Sequence, residues 1–110
     1  MQSQKLVTAS LAFLLASSLA LAAEKKGGDA AKGKEVFEQC GVCHNADSKE
    51  KKMGPGLKDL SKWEKMTNGK KPTDATVRAK IDEGGNGMPS YKDMLSDEEK
   101  ADVIAYLKTL

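Results

Sequence analysis

Cys40-Gly41-Val42-Cys43-His44 is the stretch on which the reading of this chain turns. Two thiols stand three positions apart, and an imidazole follows the second at once. The pattern Cys-x-x-Cys-His is the attachment signature of c-type haem. Its spacing has a chemical reason. Haem carries two vinyl groups on neighbouring pyrrole rings, and two thiols on one helical turn reach both, forming thioethers. The adjacent imidazole then lies beneath the iron. On this reading Cys40 and Cys43 are the covalent tethers and His44 is the proximal iron ligand. The motif occurs once, so the expected stoichiometry is one covalent haem c.

Three other chemistries use the same residue types. A thioredoxin-like Cys-x-x-Cys needs a strand–helix setting in a βαβ fold, and no alternating strand pattern is present here. A structural zinc site needs four ligands, whereas this chain holds two Cys and one His in all. A disulfide across two residues is possible in an oxidising compartment, but it staples very little chain.

With one His in the chain, a second imidazole ligand is excluded within it. A thioether sulfur binds haem iron and raises its reduction potential. Met53, Met66, Met88 and Met94 are the candidates downstream of the motif. Met88 is chosen because Gly87 and Pro89 flank it. Glycine permits a backbone to approach a flat macrocycle closely, and proline stiffens the turn that follows. Met53 is close in sequence to the proximal side, and Met66 and Met94 read as packing residues, a common use of Met. For Met88 the alternative use is the same, a loop residue filling core.

The amino-terminal segment makes sense of the motif. Leu6 to Ala22 are 17 residues without a charge, preceded by Lys5 and followed, after Ala23, by Glu24-Lys25-Lys26. Ala20-Leu21-Ala22 has the small-x-small form that signal peptidase reads. Residues 1–22 are therefore read as a cleaved signal peptide, residues 23–28 as a flexible lead-in and residues 29–110 as one domain. A retained anchor is the alternative, although 17 residues is short against the roughly 20 that cross a bilayer. Export is relevant because c-type haem is attached outside the bacterial cytoplasm. Removing residues 1–22 leaves 88 residues and lowers the formal net charge from +2 to +1. A near-neutral domain is not built to grip nucleic acid. Phe37, Trp63, Tyr91 and Tyr106 are the aromatics that remain, a thin core that a large apolar cofactor would complete.

The rest of the chain reads as all-α, with three or four short helices. Asp29 caps a helix to about Cys40, with Gly33, Val36, Phe37 and Cys40 on one face. Asp59 to Met66 carries a short helix with Leu60 and Trp63. Thr73 or Asp74 caps a helix through Ile81 that Gly84 ends. Gly84 to Pro89 is expected to be irregular. Ser96-Asp97-Glu98-Glu99 has the form of a capping box, opening a last helix to Leu110.

Taken in order, these motifs resemble the class I monohaem c-type cytochromes of bacteria, including the cytochrome c6-like kind. The resemblance covers about residues 29–110. It rests on Gly33-x-x-x-Phe37, the Cys40–His44 motif, Gly54-Pro55-Gly56-Leu57, Gly87-Met88-Pro89-Ser90-Tyr91 and Asp102-Val103-Ile104-Ala105-Tyr106-Leu107. It implies a cytochrome c fold wrapped around one covalent haem, with the first and last helices crossing at Gly33, Phe37 and Tyr106. It implies that the Pro55 carbonyl accepts a hydrogen bond from His44, that Met88 is the distal ligand, and that Trp63 either meets the haem or serves as a core aromatic. The function implied is a periplasmic single-electron carrier, not an enzyme. It would be a monomer that meets larger redox proteins or membrane oxidoreductase complexes, with no small-molecule substrate. A peroxidase would need an open iron site and usually a distal base. A gas sensor would need an output domain. A dedicated subunit of a larger oxidoreductase reads the same in sequence as a free shuttle. Lys49 to Lys71 is Lys-rich and Asp82 to Asp102 acid-rich. This is either a dipole that steers docking or simply a solvated charged surface.

Overall fold

Asp29 starts the first helix. Its backbone is extended, and its carboxylate accepts from the amides of Ala31 at 2.9 Å and Lys32 at 3.3 Å. Capping of this kind satisfies donors that the first helical turn leaves without a partner. Helix α1 runs Ala30–Phe37, three residues short of the sequence expectation. Past Phe37 the chain winds more tightly: Cys40 and Gly41 both donate to the Phe37 carbonyl at 2.8 Å, and Cys43 and His44 both donate to that of Cys40. The motif therefore sits in turns wound directly off the helix end. The computed structural model describes residues 27–110, so the expected signal segment 1–22 lies outside the described residues.

Helix α2 spans Asp74–Glu83 and α3 spans Asp97–Leu107. Thr73 caps α2 through a box in which Thr76 takes the place usually held by Glu or Gln. Ser96 and Glu99 form the capping box of α3. Gly84 closes α2 at a φ of 65°. A Cβ at this position would also come within 2.5 Å of the Met88 carbonyl oxygen, so glycine is needed twice over. Helix α3 stops at Leu107, and the last residues form a turn in which Thr109 and Leu110 donate to Tyr106 and Leu107. The helix expected over Asp59 to Met66 is a single 3₁₀ turn, Leu60–Lys62. It is bounded by Asp59 in left-handed backbone and Trp63 in extended backbone, neither of which continues a helix. No strand forms among the described residues, and three helices joined by long loops make the fold all-α.

Helices α1 and α3 make the main packing contact. At Gly33 a Cβ would overlap the Asp102 carbonyl and come within 2.9 Å of the Tyr106 Cβ. The backbones therefore meet directly. One turn further on, the Phe37 and Tyr106 rings pack at 5.3 Å between centroids, tilted by 55°. At the start of α1, the Asp29 amide donates to Asp102 Oδ1 at 2.7 Å. The close packing reaches back one residue further, because a Cβ on Gly28 would overlap the Ala101 carbonyl. The buried apolar core is Phe37, Leu60, Ile81, Leu95, Val103, Ile104 and Leu107. Around it Leu57, Trp63, Met66, Val77, Met88 and Tyr91 are only half covered.

Gly33→Val is expected to lower the unfolding free energy by about 3 kcal/mol, because the added atoms meet helix backbone that cannot give way. Gly27→Ala, where nothing lies within 4 Å, is expected to leave it unchanged. Denaturant unfolding of the two variants beside the parent protein checks both.

Candidate functional site

The proximal half of the site is built from one short span. After His44 the chain loops outward and returns, held by Asn45 Nδ2 donating to the Glu50 carbonyl at 2.9 Å, Gly54 N to the Cys43 carbonyl at 2.8 Å and Leu57 N to the Asn45 carbonyl at 2.8 Å. This return presents the Pro55 carbonyl to the His44 ring, 2.8 Å from Nδ1. Proline suits the place, because its ring stiffens the chain while its carbonyl remains free to accept. With Nδ1 donating to that carbonyl, the ring is the Nε2-acceptor tautomer, and its orientation is fixed as an outer partner fixes a metal-bound imidazole. Gly54 makes room for it: a Cβ there would stand 2.8 Å from Nδ1 and 3.0 Å from Nε2.

Cys40 and Cys43 are both free thiols and half-buried. Burial pushes the Cys40 thiol up, and the neighbouring Cys43 sulfur adds to the rise. This is the opposite of the depressed thiol on which disulfide-exchange motifs depend. Met53 Sδ lies 3.9 Å from Cys43 Sγ, which places Met53 on the motif side, largely exposed.

The distal half comes from the segment between α2 and α3. Gly85 and Met88 exchange backbone hydrogen bonds, at 2.8 and 3.1 Å, around Asn86 and Gly87. Both central residues have positive φ, 53° and 90°. An Asn-Gly pair at positive φ is the two-residue hairpin turn of mirror-image type. The segment forms no regular element, as expected, but it is a defined two-residue turn with Met88 at its exit. Met88 is half-buried against the core that Cys40 also touches. Tyr91, three residues on, lies near the motif: burial raises its hydroxyl, and Cys40 and Cys43 both add electrostatically to the rise. The fold therefore brings the Met88 segment and the Cys40–His44 turns to one region.

The other methionines divide. Met66 packs against the core as the sequence reading expects, but Met94 does not, being 63 % exposed. Trp63 packs on the core, and its indole N–H donates to the Lys58 carbonyl at 3.0 Å.

The residues present fit a covalently held macrocycle. Two unpaired thiols, an imidazole aimed by its own backbone and a rim of half-covered apolar side chains leave the core visibly incomplete. Comparison with known proteins agrees. The family model for cytochrome c matches residues 30–110, and the chain belongs to the cytochrome c family. Within it the chain is a class I monohaem c-type cytochrome, similar to cytochrome c6, and its cofactor is one covalently bound haem c. It is 36 % identical over 80 residues to cytochrome c6 of Synechocystis, covering 72 % of this chain and 63 % of that protein. It thus spans somewhat less than two thirds of that relative. Against cytochrome c6 of Leptolyngbya boryana it is 35 % identical over 80 residues, covering 72 % and 89 %. The solved structure of cytochrome c6 from the diatom Phaeodactylum tricornutum superposes with a TM-score of 0.57 at 29 % identity, over 74 % of this chain and 93 % of that one.

Cys40 and Cys43 are the only thiols in the chain. A Cys40→Ser, Cys43→Ser double variant is therefore expected to retain no haem through a denaturing gel, whereas each single variant keeps it by one remaining thioether. Intact-mass measurement of the three purified proteins checks this.

Proposed function

We propose that this protein is a periplasmic single-electron carrier whose haem is tethered by Cys40 and Cys43, with His44 and Met88 as the axial ligands. The observation that carries the proposal is the orientation of His44. Its Nδ1 is taken by the Pro55 carbonyl, so Nε2 is the nitrogen left for iron. Met88 is supported as the partner ligand by its half-buried place at the exit of the Asn86-Gly87 turn, against the core that Cys40 also touches. Met53 stands beside Cys43, and Met94 points to solvent.

When bound, the haem supplies a one-electron couple at its iron. The chain's part is to hold that iron still. Pro55 and Gly54 fix the imidazole, the Asn86-Gly87 hairpin fixes the thioether, and the core between them excludes water. A geometry that is the same in both oxidation states needs little reorganisation when an electron moves. With His44 and Met88 both holding the iron, and no second imidazole in the chain to act as a distal base, the arrangement would suit a carrier rather than an enzyme. Its donor and acceptor would be larger redox proteins or membrane oxidoreductase complexes, met briefly as a monomer through a small contact. Periplasmic placement rests on residues 1–22. No helix among the described residues is long and apolar enough to cross a membrane.

Optical spectra of both oxidation states test the ligation. The ferric protein is expected to show the weak far-red band of iron bound to thioether sulfur, and Met88→Ala to lose it. The same variant should lower the reduction potential by on the order of 0.1 V, a modest part of the roughly 0.8 V that axial ligands command. Retention of the band in Met88→Ala would overturn the assignment. Gly54→Ala tests the proximal side. Crowding the ring should weaken the His44–iron bond about tenfold, the lower end of what outer-partner changes cost. The spectrum of imidazole-bound iron, followed through a denaturant series, should be lost at lower denaturant in the variant than in the parent protein.

A further inference from the structure

Lys100 and Asp102 are the two charged residues buried among the described residues. Asp102 serves the start of α1, whereas Lys100 takes no part in anything derived above. It lies at the start of the buried stripe of α3, one turn before Val103 and Ile104 and two before Leu107. It is 4 % exposed. An apolar residue would fill such a position. Replacing a buried ion pair by well-packed apolar side chains is often neutral or stabilising, so a charge kept there points to a need for one particular arrangement.

The arrangement it imposes concerns the segment that carries Met88. From α2 that segment is fastened by Tyr91 N donating to the Ile81 carbonyl at 2.9 Å and by Ser90 Oγ donating to the Asp82 carbonyl. From α3 the fastening is Lys100, whose Nζ donates to the Lys92 carbonyl at 3.0 Å and pairs with Asp82 Oδ1 at 2.7 Å. Asp82 is held from its other side by Arg78, with Nε 3.9 Å from Oδ2, and Arg78 pairs in turn with Asp97 at the start of α3. One ammonium thus joins the last turn of α2, the Met88 segment and α3. Arg78 cannot substitute for it, because none of its contacts reaches the Lys92 carbonyl.

The structure assigns Lys100 as the positioning residue for Met88: its ammonium, paired with Asp82 and bonded to the Lys92 carbonyl, holds the Met88 segment closed over the haem. The assignment rests on the proposal that Met88 is an axial ligand. Without the ammonium, the Asp82 carboxylate and the Lys92 carbonyl lose a shared partner, and the segment opens while α1 and α3 stay packed.

The test uses the haem-loaded protein and four variants: Lys100→Met, Asp82→Asn, the two combined, and Lys108→Met. The last breaks an exposed pair between Lys108, just past the end of α3, and Asp74 at the start of α2, and serves as control. Carbon monoxide binding to the ferrous form reads how often the segment opens. The far-red band followed with temperature reads the thioether bond, and far-ultraviolet circular dichroism reads the helices. Lys100→Met is expected to bind carbon monoxide about tenfold faster, in proportion to the open population. Its far-red band should fade well below the temperature at which the helices melt. Asp82→Asn should move both readouts the same way, the combined variant should be no worse than Lys100→Met, and Lys108→Met should match the parent. If Lys100→Met does not fold, Asp82→Asn decides, since it keeps the shape of the side chain and the bond from Lys100 to Lys92. Parent-like carbon monoxide binding and band stability in the folded variants overturn the assignment, as does a band lost only together with the helices. If the parent protein lacks the band and Met88→Ala changes nothing, the ligand proposal itself has failed, and this one with it.

Discussion

At Gly33 two helix backbones meet with no side chain between them, and the positions of nearly everything else follow from that contact. The Cys40–His44 turns leave α1 directly, so they are placed by where α1 lies. The Met88 segment enters α3 directly, so it is placed by where α3 lies. Packing α1 on α3 therefore sets the two halves of the site against each other. Asp102 serves the crossing twice: its backbone forms the surface against which Gly33 rests, and its carboxylate accepts the Asp29 amide where α1 starts. The Phe37–Tyr106 ring pair then fills the space one turn further on.

The motif was legible in the sequence because its chemistry is local. Five adjacent residues carry two thiols and an imidazole, and their order alone suggests what they can bind. The caps at Asp29, Thr73 and Ser96 and the stop at Gly84 were legible for the same reason, since each is a bond or a φ within one turn of chain. The reach of Pro55 to His44 came only through resemblance. That contact is made by a loop whose path depends on several backbone bonds, none marked by a residue pattern.

The misreadings also have physical causes. Gly84 to Pro89 forms no helix or strand, as its glycines imply, but the Asn86-Gly87 pair further specifies a two-residue turn that glycine density alone does not define. Met94 was expected to pack and instead faces solvent, because its segment turns back after Tyr91 under the pull of Leu95 into the core. Lys100 lies within Asp82 to Asp102, a stretch marked in the sequence only as acid-rich. Its spacing from Val103, Ile104 and Leu107 places it on the buried stripe, but a lysine there reads as an edge residue until a carboxylate is seen beside it. The short 3₁₀ turn at Leu60 is a case of tertiary demand over local preference: Leu60 is wanted in the core, while its neighbours serve the approach to Trp63.

The crossing of α1 and α3 also sets an order of events. Asp29 and Asp102 are 73 positions apart, so nearly the whole domain has to be present before their contact can close. Closing so long a loop is entropically costly and slow compared with forming a single helical turn. The five residues proposed to attach the haem need no such closure. They are already next to one another in the unfolded chain. Covalent attachment thus asks nothing of the finished fold, whereas the finished fold, with its sparse core, asks a great deal of what has been attached. With so sparse a core, the long-range closure would be completed around the cofactor rather than ahead of it.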